Sequence, residues 1–192
     1  MSIPIANFDS VIFLLEINLQ CKVINRSAIK LREYADYWID LNSGIDNGTS
    51  AAPIDIIAVC TACLSAAASI RKLLFHGDRK GVTRIRCDKL MALLGNPLLP
   101  TLSSAMVRNS WEHLDERLDA LLSAKTYDSF SEIHVAVKAP DSSTFVLRCF
   151  DPVKMEIRYG GDVIALEPCI NEAKELSDLV SSAFQRLNSK PH

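Results

Sequence analysis

The residues of this chain whose types and spacing could do chemistry are Arg108-Asn109-Ser110-Trp111-Glu112-His113. On a helix turning about 100° per residue, Asn109 and His113 stand one above the other at i, i+4, as do Arg108 and Glu112. One helix face then offers a guanidinium, a carboxamide and an imidazole. That set suits phosphodiester chemistry. Arginine keeps its charge and grips phosphate oxygens through two parallel hydrogen bonds. Histidine, with an ordinary pKa of about 6.5, takes or gives a proton near neutral pH. The carboxamide orients a substrate without titrating.

A plainer reading fits the same stretch. Glu112, His113 and Glu116 also make a solvated helix face with supporting ion pairs, and the acids Glu112, Asp115 and Glu116 repel a polyanion. Ala105, Ala120 and Ala124 lie near this side of the wheel and would let a second helix approach. Arg71-Lys72-Leu73-Leu74-Phe75-His76 repeats the Arg-to-His spacing, but with Lys after Arg and an apolar interior at a helix end. It reads as a decoy.

Arg108-Asn109-x-x-x-His113 resembles the signature of the HEPN superfamily: Arg, a polar residue, then His four to six residues beyond the Arg, on a late helix of a small bundle. The resemblance covers residues 8 to 126 in architecture and this hexapeptide in motif. It implies a metal-independent ribonuclease of the toxin or defence kind, without a cofactor, in which two protomers bring their motifs into a shared cleft. His113 would then activate the RNA 2′-hydroxyl or protonate the leaving oxygen. Arg108 would stabilise the phosphorane charge, Asn109 would support the geometry, and the product would be a 2′,3′-cyclic phosphate end. The implied partners are a second copy of the chain, RNA, and a cognate antitoxin or other protein. The alternative from a different class is a non-catalytic HEPN-like module that dimerises and binds a nucleotide, RNA or a protein.

Cations that would hold substrate phosphates cluster between Arg71 and Lys89, where seven Lys and Arg stand against two Asp. Arg79, Lys80, Arg84 and Arg86, with Arg117 beyond them, are the candidate substrate-binding residues, acting by counterion release. A solvated connection with helix-end cations accounts for them equally well. Trp38 and Trp111 fall at apolar positions and read as core. His134 has no motif around it and receives no role.

The elements that must position these groups are mostly helical. Leu14, Ile17, Cys21, Ile24, Ala28, Leu31, Ala35, Trp38 and Leu41 recur at three- and four-residue spacing, predicting a helix over 8–42 with room for a break near Asn25 to Ser27. Asn42-Ser43-Gly44 ends it. The stretch 53–75 is apolar on nearly every side, which marks a central helix. Shorter helical patterns follow over 84–94 and 103–125, the latter capped by Ser103 or Ser104. After Tyr127 the period changes to two. Ile133, Val135 and Val137 alternate, then Phe145, Leu147 and Cys149, then Met155, Ile157 and Tyr159, with Gly160-Gly161 signalling a hairpin. Asn171 to Leu187 is helical again. The expected fold is α+β, mainly α: an antiparallel helical bundle over 1–126, then a small antiparallel β-sheet with a terminal helix over 127–192, packed on the bundle.

Composition narrows the function classes. The 192 residues are 48% hydrophobic and 23% charged, enough to bury a core. A net charge of −2 excludes bulk attraction to nucleic acid or anionic lipid, so any polyanion contact must be local. Several of the six cysteines, at 21, 60, 63, 87, 149 and 169, fall in apolar patterns, and Cys60-Thr61-Ala62-Cys63 has no second pair or histidine beside it, so that pair is expected to be buried thiols and not a metal site. The early apolar run, Val11 to Leu15, is short and flanked by Asp9 and Glu16, unlike a secretory leader. The uncharged stretch Ile56 to Ile70 falls short of the about 20 residues that span a bilayer. A cytoplasmic protein without a membrane partner is the expectation.

Overall fold

The computed structural model describes residues 8–45, 50–75, 77, 80–104, 119, 122–123, 128–136, 143–159 and 162–188. Helix α1 (Phe8–Asn42) is unbroken over 35 residues. The break that Asn25 to Ser27 invited does not occur, because Cys21, Ile24, Ala28 and Leu31 carry one buried stripe straight across it. Trp38 is half-buried and donates Nε1–H to the Ala51 carbonyl at 3.2 Å, while Leu41 turns out to solvent. Gly44 ends the helix at φ +77°, where Ile45 N–H reaches the Asp40 carbonyl and Gly44 N–H the Leu41 carbonyl. These two bonds make a Schellman cap, which needs the left-handed backbone that glycine adopts without strain.

Helix α2 (Pro53–Leu74) starts with proline at its first turn, where the missing N–H costs no hydrogen bond. Among the described residues it is the one helix long and apolar enough to cross a membrane, and half of its most apolar stretch is buried in the protein. It is a core helix: Cys60, Cys63, Leu64 and Ile70 have no exposed surface, and only an outer stripe including Ile54, Ala58 and Ala62 faces solvent. Helix α3 (Val82–Leu93) closes at Gly95 with a second Schellman cap, Asn96 N–H to the Met91 carbonyl and Gly95 N–H to the Ala92 carbonyl. One further turn, α4 (Pro100–Ser103), ends at the extended Ser104. Of the helix expected over 103–125, Ser103 closes α4 and Ser104 is extended, Asp119, Leu122 and Ser123 are helical, and the rest lies outside the described residues.

Strands β1 (Ser129–Val135), β2 (Thr144–Asp151), β3 (Glu156–Tyr159) and β4 (Asp162–Ala165) form a sheet in sequence order. The expected antiparallel sheet is corrected here. Strands β2, β3 and β4 pair antiparallel, but β1 runs parallel to β2, so the sheet is mixed. Alternation reports which face a side chain takes and carries no information on strand direction, so the sequence pattern could not separate the two. The hairpin expected at Gly160-Gly161 is consistent with the pairing of Tyr159 with Asp162, the glycines themselves lying outside the described residues.

Val135, Phe150, Ile157 and Ile164 are paired in one row across the four strands, and all four side chains enter the core. Helix α5 (Leu166–Asn188) follows β4 directly and begins five residues before the expected Asn171. Its buried stripe, Leu166, Cys169, Ile170, Ala173, Leu176, Val180 and Ala183, packs into the same cluster as α1 and α2. Arg32 of α1 grips Glu167 of α5 through two nitrogens, Nη2 lying 3.0 and 3.1 Å from the two carboxylate oxygens. One core therefore runs through the helices and the sheet. The molecule is mainly helical, with a small mixed sheet and a C-terminal helix.

Candidate functional site: the approach to the Arg-Asn-x-x-x-His segment

Arg108, Asn109 and His113 lie outside the described residues, as do Arg79, Arg117, His76 and Trp111. The structure does describe the approach to them, up to Ser104. Leu99 occupies the N-cap position of α4 and has no side chain that can accept a hydrogen bond. Pro100 at the first helical position removes one orphan donor, leaving the next amides to be satisfied from elsewhere. They are satisfied by Glu172 of α5. Thr101 N–H donates to its Oε1 and Leu102 N–H to its Oε2, each at 2.8 Å. At the other end of the turn, Arg71 Nε–H of α2 donates to the Ser103 carbonyl at 2.9 Å. Leu99 and Leu102 are buried beneath the turn. Ser104 then takes φ −62° and ψ 134°, an extended conformation that ends the turn.

Arg71, the arginine of the decoy spacing, thus serves the backbone that leads to Arg108. The other candidate cations separate. Lys80 is exposed. Arg84 is exposed and stands 3.7 Å from Asp88, an i, i+4 pair worth a few tenths of a kcal/mol (about 0.3–0.5) at most. Arg86 turns inward: its guanidinium lies 4.8 Å from the centre of the Phe13 ring, and Nη2 donates to the Lys72 carbonyl at 3.2 Å. It pins α3 to α1 and to the end of α2. Of the candidate substrate-binding cations, Lys80 and Arg84 are the described ones that face solvent, and Lys72 and Lys89 of the same run are exposed beside them. His134 is half-buried on β1.

Beside α4 lies a shallow cavity of about 280 Å³ lined by Pro100, Thr101 and Ser104 on one side and Val163, Ile164, Ala165 and Pro168 on the other. Its walls are apolar apart from the two hydroxyl residues. It offers room for a small apolar group and no charged atom to orient one.

All six cysteines are reduced and buried, including Cys60 and Cys63, for which buried thiols were expected. Burial pushes the Cys21 thiol up to about 12, with Cys169 nearby adding to the shift. Burial also raises Cys60, while a hydrogen bond with Cys63 and burial hold Cys169 well above the ordinary thiol value. A thiol kept protonated is neither a nucleophile nor a metal ligand. Among the described residues no cluster of His, Cys, Asp or Glu could hold a metal ion. Tyr159, also without exposed surface, has its hydroxyl 3.4 Å from Thr61 Oγ1 of α2, and burial lifts its pKa to about 12.

Glu172 is the residue that sequence reasoning missed. Its only signal was negative: a proline-led helix start at Pro100 without Ser, Thr, Asp or Asn before it must find its acceptor far away in the chain. No protein-family model, no curated protein and no solved structure matches this chain.

Proposed function

We propose that this protein is a HEPN-type, metal-independent endoribonuclease that cuts RNA at a composite site built by two copies of the chain. The observation that carries the reading is the hexapeptide Arg108 to His113, four residues beyond a turn that α2 and α5 hold at both ends. In the proposed reaction the RNA 2′-oxygen attacks the adjacent phosphorus and the bond to the 5′-oxygen breaks. One copy of His113 takes the 2′ proton, and the second gives a proton to the departing 5′-oxygen. Arg108 binds the phosphoryl oxygens as negative charge builds on them, and Asn109 fixes the phosphate. The product is a 2′,3′-cyclic phosphate and a free 5′-hydroxyl, with no metal in the cycle.

The antiparallel arrangement of the bundle helices, a cytoplasmic setting, a toxin or defence role and a cognate antitoxin belong to the same proposal. Lys80 and Arg84, facing solvent at the start of α3, supply the described part of the phosphate-binding charge. A second reading, a HEPN-like module that dimerises and binds a nucleotide, RNA or protein without cutting, is favoured by the acids beside the motif, Glu112, Asp115 and Glu116.

One experiment separates them. Purified protein is incubated with mixed RNA in EDTA beside the His113→Ala variant, and cleavage products are resolved by length and end group. The expected result is cleavage by the wild type and a loss of about a hundredfold or more in the variant. Equal cleavage by both removes His113 as the acid–base group. An uncut substrate with the wild type, together with retained RNA or nucleotide binding, favours the binding module.

A further inference from the structure

The four-stranded sheet has two edges, and they differ. Beside β4, Pro100, Thr101 and Ser104 line one wall of a cavity whose other wall includes Val163, Ile164 and Ala165. Beside β1 stands no further strand among the described residues. Strand β1 reads Ser129-Phe130-Ser131-Glu132-Ile133-His134-Val135, with neither the proline nor the lysine by which edge strands turn a second strand away. Phe130 at its start is 65% exposed, although its ring stacks on Phe145 at 5.9 Å.

The ladder fixes which backbone groups of β1 point outward. In a parallel pair an edge residue turns its N–H and C=O to the same side, and successive residues alternate. Asp128 N–H donates to the Ser143 carbonyl at 2.9 Å, and Ala136 N–H to the Phe150 carbonyl at 3.3 Å. Even-numbered residues therefore face β2, while Ser131, Ile133 and Val135 turn their groups away from it. The Ile133 carbonyl agrees, since it accepts from Ser131 Oγ at 3.1 Å.

We propose that this edge is a dimer interface: β1 pairs antiparallel with β1 of a second copy across a twofold axis at Ile133, making one continuous sheet. Backbone parity and charge together select that register. Ile133 exchanges two hydrogen bonds with the partner's Ile133, and Ser131 exchanges two with the partner's Val135, all through outward groups. Glu132 then lies opposite the partner's His134 in the closer, non-hydrogen-bonded pair, where an imidazole N–H donates to the carboxylate. An axis at Glu132 opposes two carboxylates, one at His134 opposes two imidazoles, and axes further along leave fewer pairs. The Glu132 side chain is 68% exposed even with Arg148 at 3.8 Å, so it is open to this contact. Phe130 comes to lie against the partner's Ala136, which covers the exposed ring. The pairing is isologous and uses the edge up, so assembly stops at two copies. This inference goes beyond the ribonuclease reading and stands on the strand alone, whether or not the protein cuts RNA.

A single strand pair lies at the small end of specific interfaces, so the dissociation constant should be about 1–100 µM. Sedimentation velocity from about tenfold below to tenfold above that range should show monomer giving way to dimer. Residue-resolved amide exchange by NMR adds a signature of the register. At high concentration the amides of Ser131, Ile133 and Val135 should slow about tenfold, while those of Glu132 and His134, which face β2, change less than about twofold. Ser131→Pro removes an outward N–H and spares the ladder to β2, so it should weaken dimerisation about tenfold or more with the circular dichroism spectrum unchanged. If that variant fails to fold, Glu132→Lys at an exposed position decides, with a loss of about tenfold expected.

A protein that stays monomeric throughout the range overturns the proposal. So does a dimer that the folded variants leave intact, or one whose odd-numbered β1 amides stay unprotected, because the copies then meet elsewhere. Assembly beyond two copies overturns the closed twofold pairing. None of these outcomes reads RNA cleavage, so the ribonuclease proposal is decided by its own experiment.

Discussion

Four thiols on three helices share the middle of this protein: Cys21 on α1, Cys60 and Cys63 on α2, and Cys169 on α5. Their consequence is a pH dependence whose sign follows from the shifts. Cys21 titrates at the ordinary 9.0 when unfolded and at about 12 when folded. Between those values the folded state binds the extra proton, so its contribution to stability is complete below about pH 9 and lost as pH rises toward 12. Tyr159 adds the same sign from its ordinary 10.0 upward. The melting temperature should therefore be level through the neutral range and fall steadily above about pH 9, read by differential scanning calorimetry or circular dichroism. A melting temperature that rises through that range contradicts the burial of these groups. Burial of Cys60 and Cys63 was legible in the sequence because both sit in an apolar run. Glu172 was not, because a cap supplied from about 70 residues away leaves no local pattern.

Helix ends and strand directions show the same division between local and remote causes. Gly44 was readable as a terminator, since a left-handed cap needs glycine and the preceding stripe ended there. Gly44→Ala should cost about 1–2 kcal/mol in chemical denaturation, from backbone strain alone, because a Cβ at that position meets no atom within 4 Å. An unaltered midpoint would mean that the cap is not formed in solution. The period-two runs identified strand segments, yet the parallel pairing of β1 with β2 was beyond them. Likewise the start of α5 at Leu166 was hidden, because Pro168 and the directly adjoining strand β4 mask where the helix begins. The candidate site was legible as a spacing of residue types. What sequence could not show is that Arg86 would spend its guanidinium on Phe13 and the Lys72 carbonyl.

At the scale of the whole molecule, α1, α2, the inner face of the sheet and α5 contribute to one hydrophobic cluster. Removing 127–192 would expose the stripe of α1 that α5 now covers and would take away the Glu172 carboxylate. A fragment of residues 1–126 should therefore show no cooperative thermal transition, whereas the full chain shows one. An independent, sharply melting fragment would show that the helices carry a core of their own. Within the full chain, Leu176→Ala on α5 should cost about 2–5 kcal/mol, the range for emptying a fully buried leucine site.

The hydrogen bond from Ser177 Oγ to Asn18 Oδ1 joins positions 159 apart in the chain. It marks where α5 settles beside α1, and it dictates the order of events during synthesis. Until α5 emerges, the apolar stripe of α1 and much of α2 stay open to water and to other chains. Contacts of such high sequence separation also slow closure, so the nascent protein should be a slow folder and a natural client for chaperones.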